Sequence, residues 1–245
     1  MKNSTGLILI PGAGMSDWIW DKCKNLFSVT PIMITSRIDD NNYGNRKKAT
    51  MSDCVRHIEK IIADEAYEDY VIIGHSGAGP IAAKLAQSLR GKVRRAVYVA
   101  ANLPGHGRTM IDSLPPLIRL INVIALRRMI RKDAIPYRQI EKMTREKFCN
   151  TCTEETIGEV LSKEMRSEPL CAITEKMNWD GLSGIMQTYM ILTKDNTLSV
   201  ARQRQMAANL SVTDFIEIES DHLVMFSHPA EFAAAVNGFL PSEKD

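Results

Sequence analysis

The chain has 245 residues, 44% of them hydrophobic and 24% charged, with a formal net charge of +2. That length suits one open α/β domain carrying an insertion, and the composition is that of an ordinary globular protein. No segment is apolar for long enough to span a bilayer, and so small a net charge gives no ground for nucleic-acid binding.

In chain order, short aliphatic or β-branched runs alternate with longer amphipathic stretches. Residues 7–10 read as a strand, 18–27 as a helix, 31–35 as a strand and 51–66 as a helix. The pattern continues with a strand at 70–73, a helix at 80–89 and a strand at 96–100. After a long gap come strands at 188–192 and 215–218, each followed by a helix, at 200–209 and 229–239. Uninterrupted apolar strands belong to a parallel sheet buried on both faces. The fold class expected is therefore α/β, a mainly parallel, doubly wound sheet of about six strands.

The gap from 102 to 187 is far too long for a connection between a helix and a strand. Its apolar spacing is helical throughout, broken at Pro104, Pro115, Pro116, Pro136 and Pro169. This predicts a helical lid at 104–186 inserted into a core made of 1–103 and 187–245. From Asn102 to Asn150 the chain holds ten Lys or Arg against four acids. Leu117, Leu120, Ile121, Ile124, Ala125 and Met129 recur at helical spacing beside Arg127, Arg128, Arg131 and Lys132. A lid helix with one solvated face accounts for this pattern, with a membrane surface or an acidic partner as alternatives.

The strand at 70–73 runs into Gly74-His75-Ser76-Gly77-Ala78-Gly79 and then a helix, the order that a nucleophile elbow requires. A serine there adopts a strained backbone, so residues two positions away must be small, and Gly74 and Ala78 occupy those places. Ala78 departs from strict Gly-x-Ser-x-Gly by one methyl group. The alternative use of Ser76 is a helix cap in a glycine-rich turn.

A serine hydroxyl needs a base to take its proton, and the base needs a third group to orient it. Asp195 follows the strand at 188–192 and His222 follows the strand at 215–218. Groups just past the carboxyl ends of parallel strands converge on one crevice, and the order Ser, Asp, His fits. Asp180, Asn196 and Asp214 are rivals to Asp195. His57, His75, His106 and His228 are placed less well than His222, with His75 best suited to a supporting role. Backbone amides of Ala13, in Pro11-Gly12-Ala13-Gly14, and of Gly77 are the expected oxyanion donors, with Gly14 as a substitute for Ala13.

Two other motifs carry less. Gly12-Ala13-Gly14-Met15-Ser16-Asp17 departs from a dinucleotide fingerprint by placing Asp17 where a third glycine would face pyrophosphate. Cys149-Asn150-Thr151-Cys152 has zinc-knuckle spacing without a second ligand pair nearby. The five cysteines are an odd number and no export signal precedes residues 7–10, so free thiols and a cytoplasmic protein are expected.

The sequence resembles the α/β-hydrolase subgroup of plant hydroxynitrile lyases, salicylate-type methylesterases and related bacterial esterases. The likeness rests on residues 11–14 followed by Trp18 and Trp20, on Gly74-His75-Ser76, on residues 97–105, on Thr193-Lys194-Asp195 and on Asp221-His222. Departures are Pro11, where a histidine is usual, and residues 37–40, which lack Asp-x-Pro-Gly. In that subgroup the lyases carry a lysine after the catalytic histidine and a threonine in the turn after the first strand. Leu223 and Gly12 stand there, so the resemblance favours ester hydrolysis.

The reaction expected is cleavage of a carboxylic ester, thioester or lactone of a small to medium apolar substrate through an acyl-enzyme. Ser76 would be the nucleophile, His222 the base and Asp195 the orienting acid, with neither metal nor organic cofactor. Gly12, Gly14, Met15, Trp18, His75, Leu103 and Met225 are the expected substrate-binding residues, with Met110 and Leu114 as further walls between lid and sheet. The partner expected is the small ester alone, with a homodimer as the assembly considered. Carbon–carbon cleavage of the lyase kind and a non-catalytic ligand receptor on the same fold are the rival functions.

Overall fold

The computed structural model describes residues 5–35, 38, 48–113, 137–165 and 171–241. Leu114 and the basic and apolar pattern at 117–132 lie outside them. Six strands, β1 (Thr5–Ile10), β2 (Ile32–Met33), β3 (Asp69–His75), β4 (Val93–Val99), β5 (Gln187–Leu192) and β6 (Asp214–Ile218), form one sheet. Its order is β2-β1-β3-β4-β5-β6 and every neighbouring pair is parallel. The expected α/β class, sheet direction and strand number hold. The helices are α1 (Met51–Ile62), α2 (Gly79–Ser88), α3 (Tyr137–Met143), α4 (Glu154–Leu161), α5 (Cys171–Thr174), α6 (Val200–Ala208), α7 (Val224–Ser227) and α8 (Pro229–Asn237).

The two-residue period of a strand sorts the sheet's side chains into two cores. Ile8, Ile72, Tyr98 and Ile191 face α1, α2 and α6, meeting Ile58, Ile81 and Met206. Leu9, Ile73, Val99 and Met190 face the opposite layer, meeting Val224, Phe232 and Val236. Burial on both faces explains why β1, β3 and β5 read as continuous apolar runs, whereas the edge strand β6 exposes Asp214, Phe215 and Glu217. Helix α1 starts on a capping box, with Thr50 Oγ1 accepting from Asp53 N (3.1 Å) and Asp53 Oδ2 accepting from Thr50 N (2.8 Å). No helix among the described residues is long and apolar enough to cross a membrane.

Two expectations need correction. Residues 18–27 are not an α-helix but two 3-10 turns, Asp17–Trp20 and Lys24–Leu26. Their amides reach back three residues, as in Asp21 N to Trp18 O at 3.1 Å and Cys23 N to Trp20 O at 3.0 Å. Bulky Trp18, Ile19 and Trp20 lose side-chain freedom in an α-helix, and the tighter turns still bury Ile19 and Trp20. The segment between β4 and β5 is likewise not helical throughout. Around α3, α4 and α5 run irregular stretches at 101–109 and 175–186 that bond to each other. Gly107 N donates to Met177 O (2.7 Å), Met177 N to Arg108 O (2.9 Å) and Trp179 Nε1 to Pro104 O (2.7 Å).

Candidate active site

The chain leaves β1 toward β2 on one side and leaves β3 toward β4 on the other. The sheet's switch point therefore lies between β1 and β3, where a crevice opens past the strand ends. Here β3 ends at His75 and the next residue, Ser76, takes φ +50°, a left-handed conformation costing a non-glycine residue about 1–3 kcal/mol. That kink lifts the Ser76 side chain clear of the sheet, and its carbonyl is held by Asn102 N at 2.9 Å. Ser76 keeps some exposure while its neighbours Gly74, His75, Gly77 and Ala78 are buried.

The kink requires α2 to start almost against β3. A Cβ on Gly74 would lie 2.5 Å from Ala82 Cβ, and one on Gly79 would lie 2.9 Å from both Ala101 Cβ and Asn102 O. Gly74 thus has to be glycine, whereas the methyl of Ala78 fits within the core beside Ile81 and Ala82. Gly74→Ala is expected to destabilise the fold by about 1–3 kcal/mol through overpacking, read as a lower midpoint in denaturant unfolding with an unchanged m-value.

His222 Nε2 stands 2.8 Å from Ser76 Oγ, and His222 Nδ1 stands 2.7 Å from Asp195 Oδ2. The imidazole and carboxylate are wholly buried. A carboxylate only accepts, so Nδ1 carries the proton and the Nε2 lone pair accepts the serine hydroxyl. Asp195 Oδ1 accepts from Thr197 N (2.6 Å) and Leu198 N (3.1 Å), which fixes the carboxylate's orientation. Buried Gln203 clamps the end of β5 just upstream, accepting from Leu192 N and donating to Leu192 O, both at 2.9 Å. The turns carrying acid and base are joined by Lys194 N to Ser220 O at 3.0 Å.

His75 is fully buried, and its Nε2–H donates to His222 O at 2.9 Å, so it supports the base's backbone. The Phe148 ring stacks on His222 with centroids 5.6 Å apart. Asp221, also fully buried, accepts from Thr151 Oγ1 (2.8 Å), Ser227 Oγ (2.9 Å) and Leu223 N (3.2 Å). Gln203, Phe148 and Thr151 were not singled out from the sequence. An acid directly before the base was the one signal available for this cluster.

The first turn closes over the elbow. A Cβ on Gly12 would lie 2.6 Å from His75 Nδ1, and one on Gly77 would lie 2.9 Å from Ala13 Cβ and 3.4 Å from Ala13 N. The backbones of Ala13 and Gly77 are therefore neighbours beside Ser76. Gly14 turns with φ +77°, and Met15 packs into the core with Ile19 and Trp20. Trp18 is half-buried, edge-on to Phe226 at 5.8 Å, with Nε1–H donating to Glu164 O at 3.3 Å. Met225 is fully buried in the same core as Phe148 and Leu223. Leu103 lies in the opposite core, its amide donating to Met206 Sδ at 3.3 Å. Met110 lines a separate cavity of about 180 Å³, with Asn102, Arg108 and Arg202, that includes none of Ser76, Asp195 and His222.

A strained serine at a sheet switch point, bonded to a histidine that is bonded to a buried carboxylate, is the arrangement of a serine-hydrolase site on an α/β sheet. Residues 7–235 match the alpha/beta hydrolase family, and the chain belongs to it. It is 24% identical over 256 residues to norfluorocurarine synthase 1 of Strychnos nux-vomica, covering 93% of this chain and 92% of that one. It is 23% identical over 241 residues to methylesterase 17 of Arabidopsis thaliana, covering 91% and 86%. Among solved structures, an extracellular alpha/beta-hydrolase from a Paenibacillus species superposes with a TM-score of 0.80 at 19% identity, covering 98% of this chain and 100% of that one.

Proposed function

We propose that the chain is a serine esterase that cleaves a carboxylic ester of a small to medium apolar molecule through an acyl-enzyme. The observation that carries this reading is the hydrogen-bonded line Ser76 Oγ, His222 Nε2, His222 Nδ1, Asp195 Oδ2, with steps of 2.8 and 2.7 Å. Ser76 Oγ attacks the ester carbonyl while His222 takes its proton. Asp195 holds the imidazole in the competent tautomer and stabilises the imidazolium that forms. His222 then returns the proton to the departing alkoxide, and water repeats the sequence on the acyl-enzyme.

The amides of Ala13 and Gly77 would receive the oxyanion, at about 3 kcal/mol for each well-aimed donor. Their adjacency beside Ser76 supports that role. We assign the inserted segment at 104–186, in its described parts 104–113, 137–165 and 171–186, as a lid over this crevice, and Met15, Trp18 and Met225, with their neighbours, as the apolar side of the substrate pocket. The likeness to a methylesterase agrees with ester hydrolysis. Leu223, wholly buried beside the base, supplies no cation for a departing cyanide. Gly12 cannot carry a threonine without displacing His75.

The test is a substrate panel of short-chain and aryl esters, thioesters, lactones and cyanohydrins, run beside fluorophosphonate labelling with peptide mapping. Turnover of esters with the label on Ser76 is the expected result. An unlabelled Ser76 with no ester turned over, or cyanide release without ester turnover, would overturn the proposal.

A further inference from the structure

Cys149 and Cys152 stand at the two ends of a reverse turn closed by Cys152 N donating to Cys149 O at 3.1 Å. Such a turn brings its first and fourth Cα atoms within about 7 Å, the range in which a disulfide can close. Cys149 is buried and Cys152 half-buried. No group of three or more His, Cys, Asp or Glu among the described residues is placed to hold a metal ion, so the zinc-like spacing has no built ligand set around it.

The turn is tied to the candidate base on several sides. Cys152 Sγ–H donates to Asp221 Oδ2 at 3.2 Å, and Thr151 Oγ1 donates to the same oxygen at 2.8 Å. Phe148, directly before Cys149, stacks on His222 and accepts from Leu223 N at 3.2 Å. The turn also reaches the loop of the acid, with Asn150 Nδ2 donating to Lys194 O at 2.9 Å. Residues 148–152 therefore grip the loops on both sides of the imidazole.

We propose that Cys149 and Cys152 are a reversible modification site, oxidised to a disulfide by a low-molecular-weight disulfide, and that closing this bond loosens the His222 loop. The Cys152 thiolate attacks one sulfur of the small disulfide and releases one small thiolate. The Cys149 thiolate then attacks Cys152 in the mixed disulfide and releases the second. The protein gives up two electrons, and its two thiol protons end on two molecules of small thiol. The sulfurs must close to about 2.05 Å, and Cys152 loses the proton it shared with Asp221. The Cys149 thiol, burial and the Asp221 carboxylate all hold the Cys152 thiol well above its usual range.

The consequence for activity rests on the esterase reading, but the modification does not. The full chain is equilibrated with oxidised or with reduced glutathione, then read by peptide mapping, by hydrogen exchange at residues 221–224 and by ester turnover. The oxidised protein should carry a Cys149–Cys152 linked peptide, distinct from any link between Cys54 and Cys171, whose sulfurs lie 3.9 Å apart. Its Leu223 amide should exchange about tenfold faster, and kcat should fall about tenfold with little change in KM, both restored by reductant. Cys149→Ser should abolish the link and the response to oxidant. Absence of the linked peptide, or a linked peptide with unchanged exchange, overturns the inference. Reduced protein that turns over no ester overturns the esterase reading instead, while mapping and exchange still decide the fate of the thiols.

Discussion

Ser76→Ala is expected to lower kcat on the best ester of the panel by about 10⁵-fold or more and to abolish fluorophosphonate labelling. Removing Oγ deletes the group that bonds to His222 Nε2 at 2.8 Å without disturbing the left-handed backbone that alanine shares with serine. The melting temperature should therefore stay near that of the wild type, separating lost chemistry from lost fold. A variant that keeps a tenth of the activity would show that the nucleophile lies elsewhere, whatever the hydrogen bonds suggest.

Asp195→Asn is expected to cost about 10⁴-fold in kcat, by a different route. The carbonyl of an asparagine can keep accepting from Thr197 N and Leu198 N, at 2.6 and 3.1 Å. Its amide then turns two donors toward His222 Nδ1, which must become an acceptor. The proton moves to Nε2, and the imidazole can no longer take one from Ser76. Single-turnover measurements should place the loss in the acylation step with KM little changed. A loss of only a few fold would mean that Asp195 is structural and that another group orients the base.

The inner strands were legible because they are buried on both faces, so Leu7 to Ile10 or Tyr189 to Leu192 could only be apolar. Ser76, Asp195 and His222 were legible for a related reason, since each follows a strand in a parallel sheet and so falls at the same edge. The 18–27 segment misled because Ile19, Trp20, Cys23 and Phe27 repeat like the face of an α-helix. Periodicity reports which residues are buried but not whether an amide reaches back three residues or four. Gln203 and Thr151 were hidden for another reason. A glutamine on an amphipathic helix and a threonine in a turn look solvated until the fold brings Leu192 and Asp221 to them.

The ends of β3 and β4 share a peculiarity, since each turns through a left-handed residue that is not glycine, Ser76 at φ +50° and Ala100 at φ +41°. They are cross-tied by Asn102 N to Ser76 O at 2.9 Å, and Tyr189 braces the second bend by donating to Ala101 O at 2.7 Å. The elbow is thus half of a two-bend buttress whose other half takes no part in the chemistry. Anyone grafting the Gly74–Gly79 loop onto a foreign scaffold would have to carry residues 100–102 and a tyrosine beneath them, or the transplanted serine would relax into an ordinary helix cap.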